Sequence, residues 1–164
     1  MIPELPRPAS RLALGALPRG ADSARLAALA RASRQPLVIL TADPQAARRI
    51  ADELPFFDPE LEVAFFPDWE TLPYDQFSPH PDIISQRLAA LHRLPGLAHG
   101  IVVVPVQTLL QRLAPLSYIV GGSFDLQVGQ RLDMDAEKRR LESAGYRNVP
   151  QVMDPGDFAV RGGL

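Results

Sequence analysis

The chain contains no cysteine, which removes disulfides, thiolate metal sites and cysteine nucleophiles from consideration. It has no apolar run near the ~18 residues that a membrane span requires. Its first ten residues, MIPELPRPAS, lack the apolar centre of a signal peptide. A cytoplasmic location without membrane association is the resulting expectation. A surplus of positive charge is missing as well: 17 basic against 19 acidic residues give a net charge of −2, so nothing in the composition draws the chain toward a phosphate backbone. Lysine is nearly absent, Lys138 being the single one, a bias toward arginine that a GC-rich genome produces without selection for the guanidinium. The histidines His80, His92 and His99 do not have the spacing of a metal motif, and no metal site is expected.

What is present suffices for a fold. An apolar share of 46% with 22% charged residues can fill a core, unlike the composition of a disordered segment. A length of 164 residues fits one domain, or one domain and part of a second, and is too short for a complete motor enzyme. The 17 prolines are about twice the usual ~5% and stand at junctions, where they punctuate short elements.

Residues 1–10 read as a flexible leader. Asp22 and Ser23 are candidate caps for a helix over ARLAALARA, with Leu26, Leu29 and Ala30 at helical spacing and Pro36 as its stop. Leu37 to Thr41 reads as a buried strand, and Asp43 with Pro44 opens a helix whose apolar face is Ala47, Ile50, Ala51 and Leu54. Leu61 to Phe66 is the next strand. A proline-rich loop follows, then a helix capped by Asp82 with Ile84, Leu88, Leu91 and Leu94 on one face, and then IVVVP as a second buried strand. Gln107 to Leu113 reads as a short helix ended by Pro115. This alternation predicts an α/β domain with a mainly parallel sheet over 11–115. Past it, Tyr118 to Val128 alternates loosely around Gly121 and Gly122, and Asp133 caps a helix that Gly145 ends. Phe158, Val160 and Leu164 begin a strand after the Asp154-Pro155-Gly156 turn. Residues 116–164 therefore read as the beginning of a smaller α+β module, cut off in mid-pattern, and the chain as a fragment.

A nucleotide-hydrolysing α/β domain cradles phosphates with GxxxxGK[ST]. Gly15 and Gly20 keep that separation, but Ala21 and Asp22 stand where the lysine and hydroxyl belong, and Asp22 puts negative charge where phosphate would sit. The segment reads as a decayed phosphate loop that does not bind ATP. Asp68, Glu70 and Asp75 admit two readings. They could serve acid-base chemistry or a magnesium site, or they could be solvated carboxylates of a surface loop that Trp69, Tyr74 and Phe77 anchor to the domain. The latter is favoured, since no second ligand cluster is visible. Trp69 and Tyr74 could also stack on bases, but no basic groove accompanies them.

Asp68, Trp69, Glu70, Pro73, Tyr74, Asp75, Phe77, Ser78, Pro79 and His80, followed by Ile83, Ile84 and Arg87, closely resemble the signature block of the bacterial transcription-repair coupling factor family. VPVQTLLQRLAP at 104–115 and the stretch 128–164 resemble the same family in the same order, so the resemblance covers nearly all of the chain past the leader. It implies a UvrB-like, phosphate-loop or helicase-like lobe followed by the start of a UvrA-contacting module. UvrB carries a damage-probing hairpin where this chain passes within a few residues into the Ile83 helix, so the hairpin is expected to be missing. The resemblance also places Arg161 on a face for UvrA, where a guanidinium can form a bidentate ion pair, with Arg147, Asp157 and Phe158 as weaker candidates. Local pairing of Arg161 on an edge strand is the alternative.

For the whole protein the resemblance implies release of RNA polymerase stalled at DNA lesions by an ATP-driven double-stranded DNA translocase, and recruitment of UvrA for nucleotide excision repair. ATP, magnesium, polymerase and DNA would engage domains downstream of this chain. The chain itself would need no cofactor, would hold no catalytic residue, and would act as an adaptor held against the rest of its own protein until engagement. The rival reading is an enzyme: a nucleotide-dependent helicase-like domain, or a hydrolase using the carboxylates of the loop.

Overall fold

Alternation of buried strands with amphipathic helices produces the expected layering in the computed structural model, which describes residues 10–13, 15–72, 74–124 and 126–161. Most of the leader, together with Pro73 and Leu164, lies outside the described residues. Three parallel strands, β1 (Leu37–Thr41), β2 (Val63–Phe65) and β3 (Ile101–Pro105), pair in the order β1-β3-β2. Leu37 lies opposite Ile101 on one side of β3, and Val63 lies opposite Ile101 on the other. All five residues of β3 are buried, as a central strand covered on both faces requires.

The chain steps across the sheet from β1 to β2 and then back to β3, and such a reversal places successive crossover helices on opposite faces. Helices α1 (Ala21–Ala32) and α2 (Pro44–Phe57) cover one face, where Ala27, Ala30, Ala47, Ile50 and Leu54 meet Ile101 and Val103. Helix α3 (Pro81–Arg93) covers the other, where Ala90 and the partly buried Leu91 and Leu94 meet Ala64, Phe66, Val102 and Val104. The period-2 side-chain alternation of β3 divides its residues between the two cores. At the edge strand β1 only the first face is covered, leaving Val38 and Leu40 exposed.

Several expected boundaries shift for local reasons. Helix α2 starts as read, with the Asp43 carboxylate accepting from the Ala46 amide and Pro44 in the first turn. Helix α1, by contrast, is capped by Gly20 in the left-handed region at φ 82°, not by Asp22 or Ser23. Its buried stripe is Ser23, Ala27 and Ala30. Helix α3 begins one residue before Asp82. Its cap is the His80 ring, whose Nδ1 accepts from the Asp82 amide, and its fully buried positions are Arg87 and Ala90, while Leu88 is exposed. Val106–Leu110 is a five-residue 3-10 turn where a helix to Leu113 was expected. The Thr108 and Gln111 side chains are drawn there to Asp68, which tertiary pairing favours over another α-helical turn.

Beyond Pro115, the expected loose alternation is replaced by a short helix, α4 (Leu116–Gly122), which packs on α3 and buries Ile119. Helix α5 (Met134–Ser143) begins at Asp133, whose carboxylate accepts from the Asp135 and Ala136 amides. It ends at Gly145, φ 90°, where the Tyr146 amide donates to the Leu141 carbonyl and the Gly145 amide to that of Glu142, the paired closure of a Schellman motif. Two short strands, β4 (Arg147–Asn148) and β5 (Asp157–Phe158), pair in parallel, with Val160 already past the end of β5. No described residue after Ile119 is among the buried hydrophobics, so the last part of the chain has two strands and one helix but no core of its own. None of the described helices is long and apolar enough to cross a membrane.

Candidate functional site

The proline-rich loop leaves the sheet at Phe66, and its base is fixed by Arg87. This side chain is 2% exposed and places its guanidinium over two rings, 4.2 Å from the centre of Phe66 and 4.0 Å from that of Trp69. It also donates to the Pro67 carbonyl. Burial lowers the pKa of Arg87 from its ordinary value, and the nearby Asp68 carboxylate opposes that. Arginine stays protonated in proteins, so the result is a buried cation held by π faces, a carbonyl and a carboxylate.

Asp68 is the second fixed point. Its Oδ1 accepts from Gln111 Nε2 at 2.7 Å and from Thr108 Oγ1 at 3.2 Å, and its Oδ2 from the Glu70 amide at 3.4 Å. Thr108 and Gln111 went unnoticed in the sequence because 40 and 43 residues separate them from their partner. Asp75 is also a turn-former, accepting from the Leu72 amide at 2.7 Å. Glu70 is exposed, and the three carboxylates do not converge with one another or with a histidine: among the described residues no group of three metal-ligating side chains occurs. A shallow cleft of about 420 Å³ runs past Asp68 and Glu70 to Arg48, Arg49 and Asp52 of α2, with Arg48 stacked over Phe65 at 4.3 Å.

Of the three aromatic residues expected to anchor this loop only Trp69 turns inward. Tyr74 and Phe77 are fully and 81% exposed, and Leu72 is 74% exposed. Tyr74, φ 79°, and Glu70, φ 58°, sit in the left-handed region. Ser78 and Pro79 lead from this stretch into α3.

At the start of α1, Asp22 Oδ1 accepts from the Gly20 and Ser23 amides, and its carboxylate is gripped by Arg49, with Oδ2 at 2.7 Å from Nη2. Arg49 also pairs with Glu53 at 2.8 Å, and Ser23 Oγ donates to the same Glu53 oxygen. The Arg49 hydrogen bond, followed by the backbone amides, holds the Asp22 carboxyl below its ordinary pKa against the effect of burial. Asp22 thus occupies the amides at this helix start with an internal anion. No strand precedes it, since residues 10–13 and 15–18 form none, so Gly15 and Gly20 do not lie in the strand-to-helix setting of a phosphate cradle.

The four residues expected on a partner face divide into two kinds. Arg147 on β4 reaches Asp157 of β5 at 2.8 Å and Asp154 at 3.8 Å. The Asp157 side chain is only 5% exposed and accepts from the Asp154 amide, so it closes the turn and holds Arg147. Phe158 is half-buried, paired with Asn148 across the two strands. Arg161 differs from all three: it is exposed, lies past the end of β5, and makes no hydrogen bond or ion pair with any described residue.

A family model described as the UvrB interaction domain matches residues 124–164, the segment that contains α5, β4, β5 and Arg161. The chain is 46% identical over 151 residues, 92% of its length, to the transcription-repair-coupling factor of Escherichia coli (strain K12). It is 40% identical over 163 residues, 99% of its length, to that of Haemophilus influenzae, and 38% identical over 152 residues, 87% of its length, to that of Mycobacterium tuberculosis. It spans 13%, 14% and 12% of the lengths of these three relatives.

Proposed function

Because the chain belongs, as a segment, to the transcription-repair-coupling factor family, we propose that it is a non-catalytic adaptor and regulatory lobe of a protein that clears stalled RNA polymerase from damaged DNA and recruits UvrA for excision repair. ATP, magnesium, polymerase and double-stranded DNA engage other parts of that protein, and this lobe is held against them until engagement. The observation that carries the reading is Arg161: an exposed guanidinium with no partner among the described residues, inside the segment matched by the UvrB interaction domain. An exposed planar cation beside half-buried apolar residues is the kind of group that anchors a protein interface through a bidentate carboxylate pair. The absence of buried apolar residues after Ile119 among the described ones supports the same reading, since Leu126, Val128, Val152 and Val160 stay open to a partner.

We infer that residues 15–22 hold no phosphate. The engagement of Asp22 with Gly20, Ser23 and Arg49 supports that, because an incoming phosphate would have to displace a bound carboxylate. The experiment is a UvrA binding titration with the intact protein and its Arg161→Ala variant. Affinity should fall by at least about tenfold, the loss of one anchoring ion pair, with an unchanged circular dichroism spectrum. Equal affinity of the two proteins would remove the proposed interface.

A further inference from the structure

We propose that the loop from Glu70 to Phe77 is a second docking site, for a separate protein that offers an apolar pocket ringed by lysine and arginine. Leu72, Tyr74 and Phe77 stand almost free of the protein surface, while the loop beneath them is fixed by Trp69, Arg87 and the Asp68 hydrogen bonds. Exposed apolar side chains on a fixed base lose little conformational freedom on binding, which is what makes such groups effective anchors.

Charge selects the partner. The loop and its two ends carry Asp68, Glu70, Asp75 and Asp82 and no Lys or Arg, and Glu70 and Asp75 stand next to the three apolar side chains in the sequence. Of the cations in neighbouring elements, Arg87 is buried against the loop base, Arg48 lies over Phe65, and Arg49 holds Asp22 and Glu53, which leaves the exposed Arg112, next to Gln111, against the carboxylates of the loop. Nucleic acid and anionic lipid would be repelled by this surface, and so would a second copy of the same loop. Size and composition point to a partner that comes and goes. Tyr74 and Phe77 at ~150–250 Å² each supply roughly 300–500 Å², and Leu72 adds less than either ring, which stays below the ~800 Å² per side of a standard stable interface. Carboxylates interspersed among the apolar groups keep the loop soluble when it is uncovered. None of the residues of the β4–β5 face takes part, so this site stands or falls apart from the UvrA reading.

The test places the photo-crosslinking residue p-benzoylphenylalanine at Phe77 of the intact protein in cells, with the equally exposed Phe56 of α2 as control position. A protein adduct specific to position 77 is expected, its crosslinked peptide rich in Lys and Arg. The captured protein, once purified, should bind the intact protein in a salt-sensitive manner. Affinity should fall at least about tenfold with Tyr74→Ala and also with Glu70→Lys/Asp75→Lys, and should not change with Arg161→Ala. The proposal is overturned by any of four results: no adduct above the Phe56 control, an adduct to nucleic acid, to another copy or to the same polypeptide, an acidic crosslinked peptide, or binding that the charge reversal leaves intact.

Discussion

The guanidinium carbon of Arg87 lies 4.0 Å from the ring centre of Trp69, so a buried cation on helix α3 is held against a partly buried aromatic ring of the loop that leads into that helix. A planar cation has two faces and five donors, which lets Arg87 serve Trp69, Phe66 and the Pro67 carbonyl together; an ammonium cannot. Arg87→Ala should lower unfolding stability by about 3 kcal/mol, through lost stacking and a buried carbonyl left without its donor. Arg87→Lys should cost about 1–2 kcal/mol, the charge surviving without the plane. Trp69 is the chain's one tryptophan, so its fluorescence in a urea titration reports both. A lysine variant as stable as the parent would show that the stacking contributes nothing.

Acid should weaken the α1–α2 junction at a defined place. The folded-state pKa of Asp22 lies below its ordinary value of 3.8, chiefly through Arg49. A depressed carboxylate pKa contributes stability that is present above the unfolded-state value and is lost as pH falls through the folded-state value. Asp22→Asn should therefore be less stable than the parent at pH 7, with the gap closing below about pH 3.8. Thermal melts at pH 7 and at about pH 3 measure it, and a gap of constant size would disprove the linkage.

The same carboxylate bears on nucleotide. With the Gly20 and Ser23 amides already engaged by Asp22, titration of the protein with ATP and magnesium should give no saturable heat up to millimolar concentration. Micromolar binding would revive the reading of this chain as a nucleotide-dependent enzyme.

Tyr74 should show stability and binding pulling apart. Its side chain is fully exposed and its φ is 79°, a region that costs a side-chain-bearing residue about 1 kcal/mol and glycine almost nothing. Tyr74→Gly should leave the urea midpoint unchanged or higher by up to about 1 kcal/mol of stability, while abolishing the docking proposed for the loop. A marked loss of stability would mean that the ring has an anchoring role after all.

Gly100 should tolerate no side chain. At φ 138° a Cβ there would meet the Glu62 carbonyl oxygen at 2.5 Å, where β2 and β3 begin to pair. Gly100→Ala should cost at least about 2 kcal/mol, seen as a lower urea midpoint.

Much of the layered part was legible because its signals are local. The apolar runs of β1 and β3 and the Asp43-Pro44 start of α2 declare themselves within a few residues. Two departures from the local pattern have a partner far away in sequence as their cause. Arg87 occupies a buried position because two rings of the loop receive it, and hydropathy gave that place to Leu88. Val106–Leu110 forms a 3-10 turn because Asp68 takes the side chains around it. For Tyr74 and Phe77 the cause is local: hydropathy puts aromatic side chains inside, whereas the left-handed backbone at Tyr74 turns this stretch out. At the partner face the residue types were legible, but not that Asp157 would claim Arg147 and leave Arg161 alone, since the parallel β4–β5 register decides it.

The central place of β3 carries a consequence for how this lobe is made on the ribosome. Among the described residues β1 and β2 have no strand neighbour other than residues 101–105, so the sheet cannot join until those residues have emerged. Nascent chains arrested before Ile101 should remain open to protease, and those extended past Pro105 should close in a single step.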